Sequence, residues 1–206
     1  APLYPTESPL ISEESFICEK TLQGISLRDI CLSVLNKEGK MVTSHKMDLL
    51  FTHFGVSGPA ALRCSSFVNQ LLETQEHVVV ALDCFPDLSE AELTKQIQAT
   101  LTDTKKVLKN ALQTFLPERL LHFYLEKLDI ADLPANQLTD DQLAAIVDLW
   151  KNFPIQIVKT FPLEKSFVTG GGIHLKEINP KTMESKMMPG LFFGGELIDI
   201  NGYTGG

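Results

Sequence analysis

The sequence predicts an α+β fold: a mostly antiparallel β subdomain, for which a barrel-like arrangement is one option, with an inserted helical subdomain and a glycine-rich C-terminal tail. Three observations favour this fold. Short segments rich in β-branched and apolar residues occupy much of residues 16–83. Residues 87–153, the expected helical subdomain, contain no glycine and space their apolar residues as a helix does. Nine of the thirteen glycines then fall between Gly170 and Gly206.

The β subdomain is expected over residues 1–86, behind a proline-containing lead-in. The expected strands are residues 16–20, 25–35, 40–44, 47–54 and 77–83. The alternation of apolar residues shifts near Asp29, and this shift predicts a β-bulge. Asn-Lys-Glu-Gly at residues 36–39 predicts the turn of a hairpin.

Capping residues predict where the helices begin. Ser57, followed by Pro59, predicts a helix over about residues 57–72 within the β subdomain. In the helical subdomain, Ser89 and Thr139 each have Glu or Gln three residues later, which is the pattern of a capping box. The four helices expected there are residues 89–101, 103–115, 117–128 and 139–152.

The third expected part, residues 154–206, returns as strands at 154–160 and 167–169 and ends in the glycine-rich tail. In the tail, pairs and triplets of glycine flank a short apolar strand expected at residues 191–193, which Glu196 follows. Glycine is favoured where φ is positive or where another group must lie close to the backbone. A carboxylate beside bare backbone amides is the local chemistry of a nucleotide or dinucleotide site.

Composition excludes several classes of function. The net charge is −8 and the isoelectric point is near 5.1. Binding to nucleic acid or to an anionic membrane is not expected, because both need clustered Lys and Arg. The four cysteines form no C-x-x-C motif, and no metal site is expected. No signal peptide or membrane span is recognisable, so a cytoplasmic location is the expectation.

Three segments carry a resemblance to a known family. They are LLFTHFGVSGPA at residues 49–60, TGGGIHLKEINPKTMESK at residues 169–186 and GLFFGGELIDINGYTGG at residues 190–206. The chain resembles the HI0933-like family of FAD-dependent oxidoreductases from Thr21 to Gly206, and the three segments stand in the family's order. The resemblance implies a flavoprotein in which FAD supplies the redox chemistry.

The resemblance also implies where FAD is bound. Glu196 would accept a hydrogen bond from a ribityl hydroxyl, and the segment from Thr169 would pass near the isoalloxazine ring. The expected cofactor-binding residues are Thr169, Gly170, Gly171, Gly194, Gly195, Glu196, Gly202, Tyr203, Thr204 and Gly205. Two simpler alternatives stay open: a plain hinge at residues 169–172, and a glycine turn followed by a solvated Glu196.

One expected element is missing, because no G-x-G-x-x-G motif, which would hold the FAD pyrophosphate, occurs in the sequence. We therefore expect a piece of a larger protein that is inactive alone and binds FAD weakly or not at all. Its partner would be the FAD-binding remainder of its own polypeptide. The alternative is a non-catalytic docking module, and the two differ in where apolar surface is exposed: residues 167–206 for the first, residues 87–153 for the second.

No catalytic residue is assigned from the sequence. His53, between aromatic residues, could act as an acid or base near a substrate, but a packing role is favoured. His174 has no partner that its sequence neighbourhood reveals, and no Ser-His-Asp arrangement is recognisable.

Overall fold

A seven-stranded antiparallel sheet forms the centre of the protein. The computed structural model describes residues 3–102 and 104–200. The strands are β1 (Tyr4–Thr6), β2 (Leu10–Ile11), β3 (Ser26–Leu35), β4 (Met41–Phe51), β5 (Gly55–Ser57), β6 (Val78–Asp83), β7 (Phe153–Ile157), β8 (Lys159–Thr160) and β9 (Val168–Gly170). Their order in the large sheet is β7-β6-β3-β4-β5-β2-β8, while β1 and β9 form a separate pair. The expected α+β fold is confirmed.

The sheet curls so that its two edge strands are neighbours in the chain. β7 pairs with β6, β8 pairs with β2, and only Val158 separates them. The amide of Val158 donates to the carbonyl of Ile11 in β2 at 2.9 Å. No ladder joins β7 to β8, so the barrel is not closed among the described residues. The return strand expected at residues 154–160 thus changes partner half-way along.

The hairpin β3–β4 follows the sequence closely. Its register shifts between Leu27 and Ile30, and Asp29 there has a φ of 51°, as expected for the predicted bulge. The Asn36 side chain accepts from the amides of Glu38 and Lys40 and so fixes the turn. The two strands expected at residues 40–44 and 47–54 are instead one strand, β4.

Six helices complete the described residues. They are α1 (Ser15–Cys18), α2 (Pro59–Leu72), α3 (Glu90–Leu101), α4 (Leu108–Ala111), α5 (Glu118–Lys127) and α6 (Asp140–Lys151). Both capping boxes, at Ser89 and Thr139, are confirmed. No helix among the described residues combines the length and the apolar character needed to cross a membrane.

Three local predictions are wrong. The strand expected at residues 16–20 is the short helix α1, whose Phe16 and Ile17 are buried on one side of a single turn. Ser57 ends β5 and does not cap α2, which begins after Gly58 with Pro59 at its first position. The helix expected at 103–115 shrinks to α4, because the backbone before it bonds to the segment around Pro134. The Leu108 amide donates to the Leu133 carbonyl, and the Ala135 amide donates to the Lys106 carbonyl.

Lys151 fastens the helices to the sheet. Its side chain is 12% exposed, and its ammonium donates to the Asp83 carboxylate at the end of β6 and to the carbonyls of Phe85 and Leu88. A nearly buried ammonium needs this number of acceptors to offset its lost hydration. The same buried core continues from the sheet into α3, α5 and α6 around Trp150. The division of the chain at residues 86 and 153 stays a prediction.

The close approach of β2 and β5 depends on Gly55. Its φ is 148°, and a Cβ at this position would collide with the Leu10 carbonyl oxygen and with the backbone of β2. Gly39 also has a positive φ, 74°, but a Cβ there would meet no atom within 4 Å. Substitution at Gly39 would therefore introduce backbone strain alone, whereas substitution at Gly55 would introduce both strain and a steric collision.

We expect Gly55→Ala to lower the free energy of unfolding by about 3 kcal/mol or more, because strain and overpacking add. Gly39→Ala should lose only about 1 kcal/mol, from strain alone. Urea unfolding of the two variants measures the difference. Equal losses would show that β2 and β5 do not approach as described.

Candidate cofactor-binding face

The glycine segment after β9 packs directly on the backbone near the C-terminal end. Gly171 and Gly172 have φ values of 89° and 118°. A Cβ on Gly172 would collide with the carbonyl oxygen of Leu197. The absence of a side chain therefore lets two distant parts of the tail touch, as the high glycine content predicts.

Hydrogen bonds fix this contact. The amide of Ile173 donates to the Leu197 carbonyl at 2.9 Å, and the amide of Asp199 donates to the Ile173 carbonyl at 3.0 Å. These two bonds form a parallel bridge between Ile173 and Ile198. Ile198 is buried beneath it, with 6% of its surface exposed. The bridge brings the segment from Gly170 to Ile173 against the segment that contains Glu196.

Residues 178–193 form a compact loop between these segments. The carboxylate of Glu184 accepts from the Gly190 amide at 2.7 Å, and Glu184 lies in a bridge with Phe192. The amide of Ser185 donates to the Leu191 carbonyl. Residues 182–186 therefore hold the loop together.

The structure describes six of the ten expected cofactor-binding residues. Thr169 and Gly170 end β9, and Gly171 follows. Gly194, Gly195 and Glu196 lie at a 3₁₀ turn, Gly195–Leu197, where all three are exposed. The other four, Gly202, Tyr203, Thr204 and Gly205, lie outside the described residues.

The short strand expected at residues 191–193 is wrong. Phe192 makes one isolated bridge, and the amide of Phe193 donates to the Met183 carbonyl, but no strand forms there among the described residues. Two bulky apolar side chains in this segment, Leu191 and Phe192, are 40% and 60% exposed. No neighbouring strand pairs with this segment among the described residues, and both side chains remain exposed to solvent.

Exposed apolar side chains are concentrated in the same region, which we call the tail face. Its nine members are Phe167, Leu175, Met183, Met187, Met188, Leu191, Phe192, Leu197 and Ile200. Among the described residues of 87–153 no large apolar side chain is exposed to this degree. Exposed apolar side chains in this number on one stretch of the chain indicate a surface on which something else packs.

A histidine and a carboxylate meet at one end of this face. Nδ1 of His174 lies 3.8 Å from Oδ2 of Asp199, with 58% and 28% of the two side chains exposed. They border an open cavity of about 400 Å³ whose other lining residues are Leu175, Lys176 and Glu177. Sequence reasoning missed this pair because its members are far apart in the chain. The local feature that His174 and Asp199 share is that each directly follows an isoleucine, and these two isoleucines form the bridge.

His53 is exposed and lies edge-on to Phe54, with ring centroids 5.0 Å apart. Among the described residues no group of three or more His, Cys, Asp or Glu side chains is arranged to hold a metal ion.

Comparison with known proteins shows a family and several relatives. The HI0933-like protein barrel and H2TH domain matches residues 4–168. The chain is 33% identical over 165 residues to a ribosomal RNA dihydrouridine synthase of Escherichia coli, a match that covers 80% of this chain and 39% of that protein. It is 29% identical over 205 residues to the protein of the same name in Haemophilus influenzae, a match that covers 100% of this chain and 48% of that protein.

A third relative has a different printed name. It is a 3-dehydro-bile acid delta(4,6)-reductase of Clostridium scindens, 26% identical over 161 residues that cover 77% of this chain and 39% of the relative. The chain therefore spans about half the length of these relatives, or less.

Gly172→Ala should open the bridge between Ile173 and Ile198, because the new Cβ has no room beside Leu197. We expect the amide protons of Ile173 and Asp199 to exchange with solvent at least about tenfold faster, which corresponds to roughly 1.4 kcal/mol. Gly194→Ala is the matched control, since a Cβ at Gly194 meets nothing within 4 Å. Unchanged exchange in Gly172→Ala would contradict the close packing of the two segments.

Proposed function

Since the chain belongs to the HI0933-like family, we propose that it forms the substrate side and one edge of the flavin cleft of an FAD-dependent reductase. The observation that carries the proposal is the tail face. Exposed apolar side chains and backbone glycines occur together there, and they are absent from the exposed surface of the described helical residues.

The residues present fit one edge of an FAD site. Gly194 and Gly195 offer exposed backbone without side chains, since a Cβ at either position would meet no atom within 4 Å. Glu196 is exposed on the adjoining turn, where its carboxylate can accept a hydrogen bond from a ribityl hydroxyl. FAD, when bound, supplies the hydride chemistry. The chain's own residues position the cofactor, cover its ring and exclude water from the reacting atoms.

The pyrophosphate-binding half has to come from elsewhere. The sequence contains no G-x-G-x-x-G motif, and the tail face leaves nine large apolar side chains uncovered. A dinucleotide-binding domain of the same polypeptide, packed on the tail face, would satisfy both conditions. The chain alone is then expected to bind FAD weakly and to be inactive.

The printed names of the relatives suggest the reaction class. Dihydrouridine carries two hydrogens more than uridine, and a delta(4,6)-reductase reduces carbon–carbon double bonds. In uridine and in a 3-dehydro-4,6-diene acid the double bond is conjugated to a carbonyl group. Reduction of such a polarised double bond is the activity that we propose. The net charge of −8 favours a small substrate over RNA.

The alternative, a docking module that uses the helices, has less support. It requires exposed apolar side chains on the helical subdomain, and the described residues of 87–153 bury theirs in the common core. An FAD-binding domain packed on the tail face would explain why apolar side chains are exposed there.

The complete polypeptide that contains this chain should purify yellow, with about one FAD per molecule. Glu196→Gln should weaken its affinity for FAD about tenfold or more, because a charged hydrogen bond to the ribityl chain is lost. Glu164→Gln is the matched control, an exposed carboxylate on an earlier 3₁₀ turn. FAD titration followed by flavin fluorescence measures both affinities.

Activity is tested on the same FAD-loaded protein with two probes, dihydrouridine-free ribosomal RNA and a 3-keto-4,6-diene bile acid. Reduction of either one supports the proposed reaction class, and reduction of the acid alone supports a small substrate. A colourless complete protein with no affinity for FAD would overturn the proposal.

A further inference from the structure

We propose that His174, held by Asp199, donates the proton that completes reduction of the substrate. The inference rests on the function proposed above and assigns a catalytic residue to it. Two hydrogens must be added across a carbon–carbon double bond, and a flavin delivers only one of them as hydride. The other carbon needs a proton, and a positioned side chain accelerates its delivery.

The backbone holds the two side chains in a defined relation. His174 and Asp199 each directly follow a member of the bridge between Ile173 and Ile198. The Asp199 amide is bonded to the Ile173 carbonyl, so the position of its carboxylate depends on the segment that carries the histidine. Since the bridge packs on Gly172, the pair is tied to the glycine segment of the proposed flavin edge.

The geometry leaves one ring nitrogen for chemistry. Nδ1 of His174 faces the Asp199 carboxylate at 3.8 Å, which is an ion-pair distance and longer than a hydrogen bond. No other described residue forms a hydrogen bond to Nε2 of His174. A carboxylate on Nδ1 fixes the orientation and tautomer of an imidazole and directs Nε2 toward a reacting group.

The cavity beside the pair provides space for part of a substrate. Its volume is about 400 Å³, and the charged groups that line it with His174 are Lys176, Glu177 and Asp199. Leu175, 53% exposed, supplies an apolar contact. A planar conjugated ring fits such a mixture of apolar and polar lining.

The proposed step balances in atoms and charge. Reduced FAD, when bound, would supply a hydride to one carbon of the substrate double bond, so that the flavin would be oxidised as the double bond is reduced. The other carbon accepts the Nε2 proton of the His174 imidazolium. The imidazole is left neutral, with its remaining proton on Nδ1 facing Asp199, and it regains a proton from water.

Rapid mixing of the complete FAD-loaded protein separates this step from the others. The flavin is first reduced with dithionite and then mixed with whichever of the two probe substrates the wild type reduces. His174→Gln should slow flavin reoxidation by substrate about 100-fold, while reduction by dithionite stays unchanged.

His77→Gln is the matched control, an exposed histidine at the start of β6 and outside this cavity. It should leave both rates unchanged. A wild-type rate in His174→Gln would overturn the proposal. Loss of bound FAD in that variant would overturn it as well, because His174 would then be a structural residue.

A second measurement does not depend on activity. Long-range ¹H–¹⁵N spectra of the complete protein at high pH should show the neutral His174 ring protonated on Nδ1, and Asp199→Asn should remove this preference. An unchanged tautomer in Asp199→Asn would show that Asp199 does not hold the ring. If the wild type binds FAD but reduces neither probe, the proposed function and the proton donor both fail. In that case an Nδ1 tautomer would show only that Asp199 orients the His174 ring, without a catalytic role.

Discussion

The pairing of β1 with β9 is the constraint on which the rest of the structure depends. Tyr4 lies opposite Gly170 and Thr6 opposite Val168, although more than 160 residues separate them. The chain therefore enters and leaves the body of residues 7–167 at one place. Neighbouring ends of this kind are what allow one domain to be inserted into another. The pairing also sets the point from which the glycine tail begins.

Because of this arrangement, buried and exposed apolar side chains are distributed unevenly between the body and the tail. The curled sheet and the helices share one buried core, and the Lys151 ammonium joins them where β6 ends. The tail has little core of its own; Ile178 and Ile198 are its buried apolar residues among those described. The nine large apolar side chains of the tail face are exposed to solvent. Most large apolar side chains of the body are buried within the body itself, whereas those of the tail face are the surface on which we propose that a partner packs.

Several local signals in the sequence predicted local structure correctly, although the cap expected at Ser57 did not form. The capping boxes at Ser89 and Thr139, the turn at Asn36 and the bulge at Asp29 each depend on a few neighbouring residues, and all are confirmed. Features that depend on distant partners were missed. The partner change at Val158 and the shortening of α4 beside Pro134 are set by other segments, which no window of sequence contains.

The candidate site follows the same rule. The glycine density indicated where two backbone segments come close together, because such contact needs glycine whatever the partner is. That this region binds FAD stays a prediction. The His174–Asp199 pair could not be predicted, since it exists only through the bridge one residue earlier. The strand expected at residues 191–193 failed because three apolar residues alone do not supply a neighbouring strand.

Methionine oxidation by hydrogen peroxide tests most directly whether a flavin-binding half covers the tail face. Met187 and Met188 are 77% and 60% exposed in this chain, and Met41, on β4 of the sheet, is 58% exposed. The account predicts that in the complete FAD-loaded protein Met187 and Met188 become at least tenfold slower to oxidise while Met41 keeps its rate. Equal rates for all three methionines, in the chain alone and in the complete protein, would contradict it.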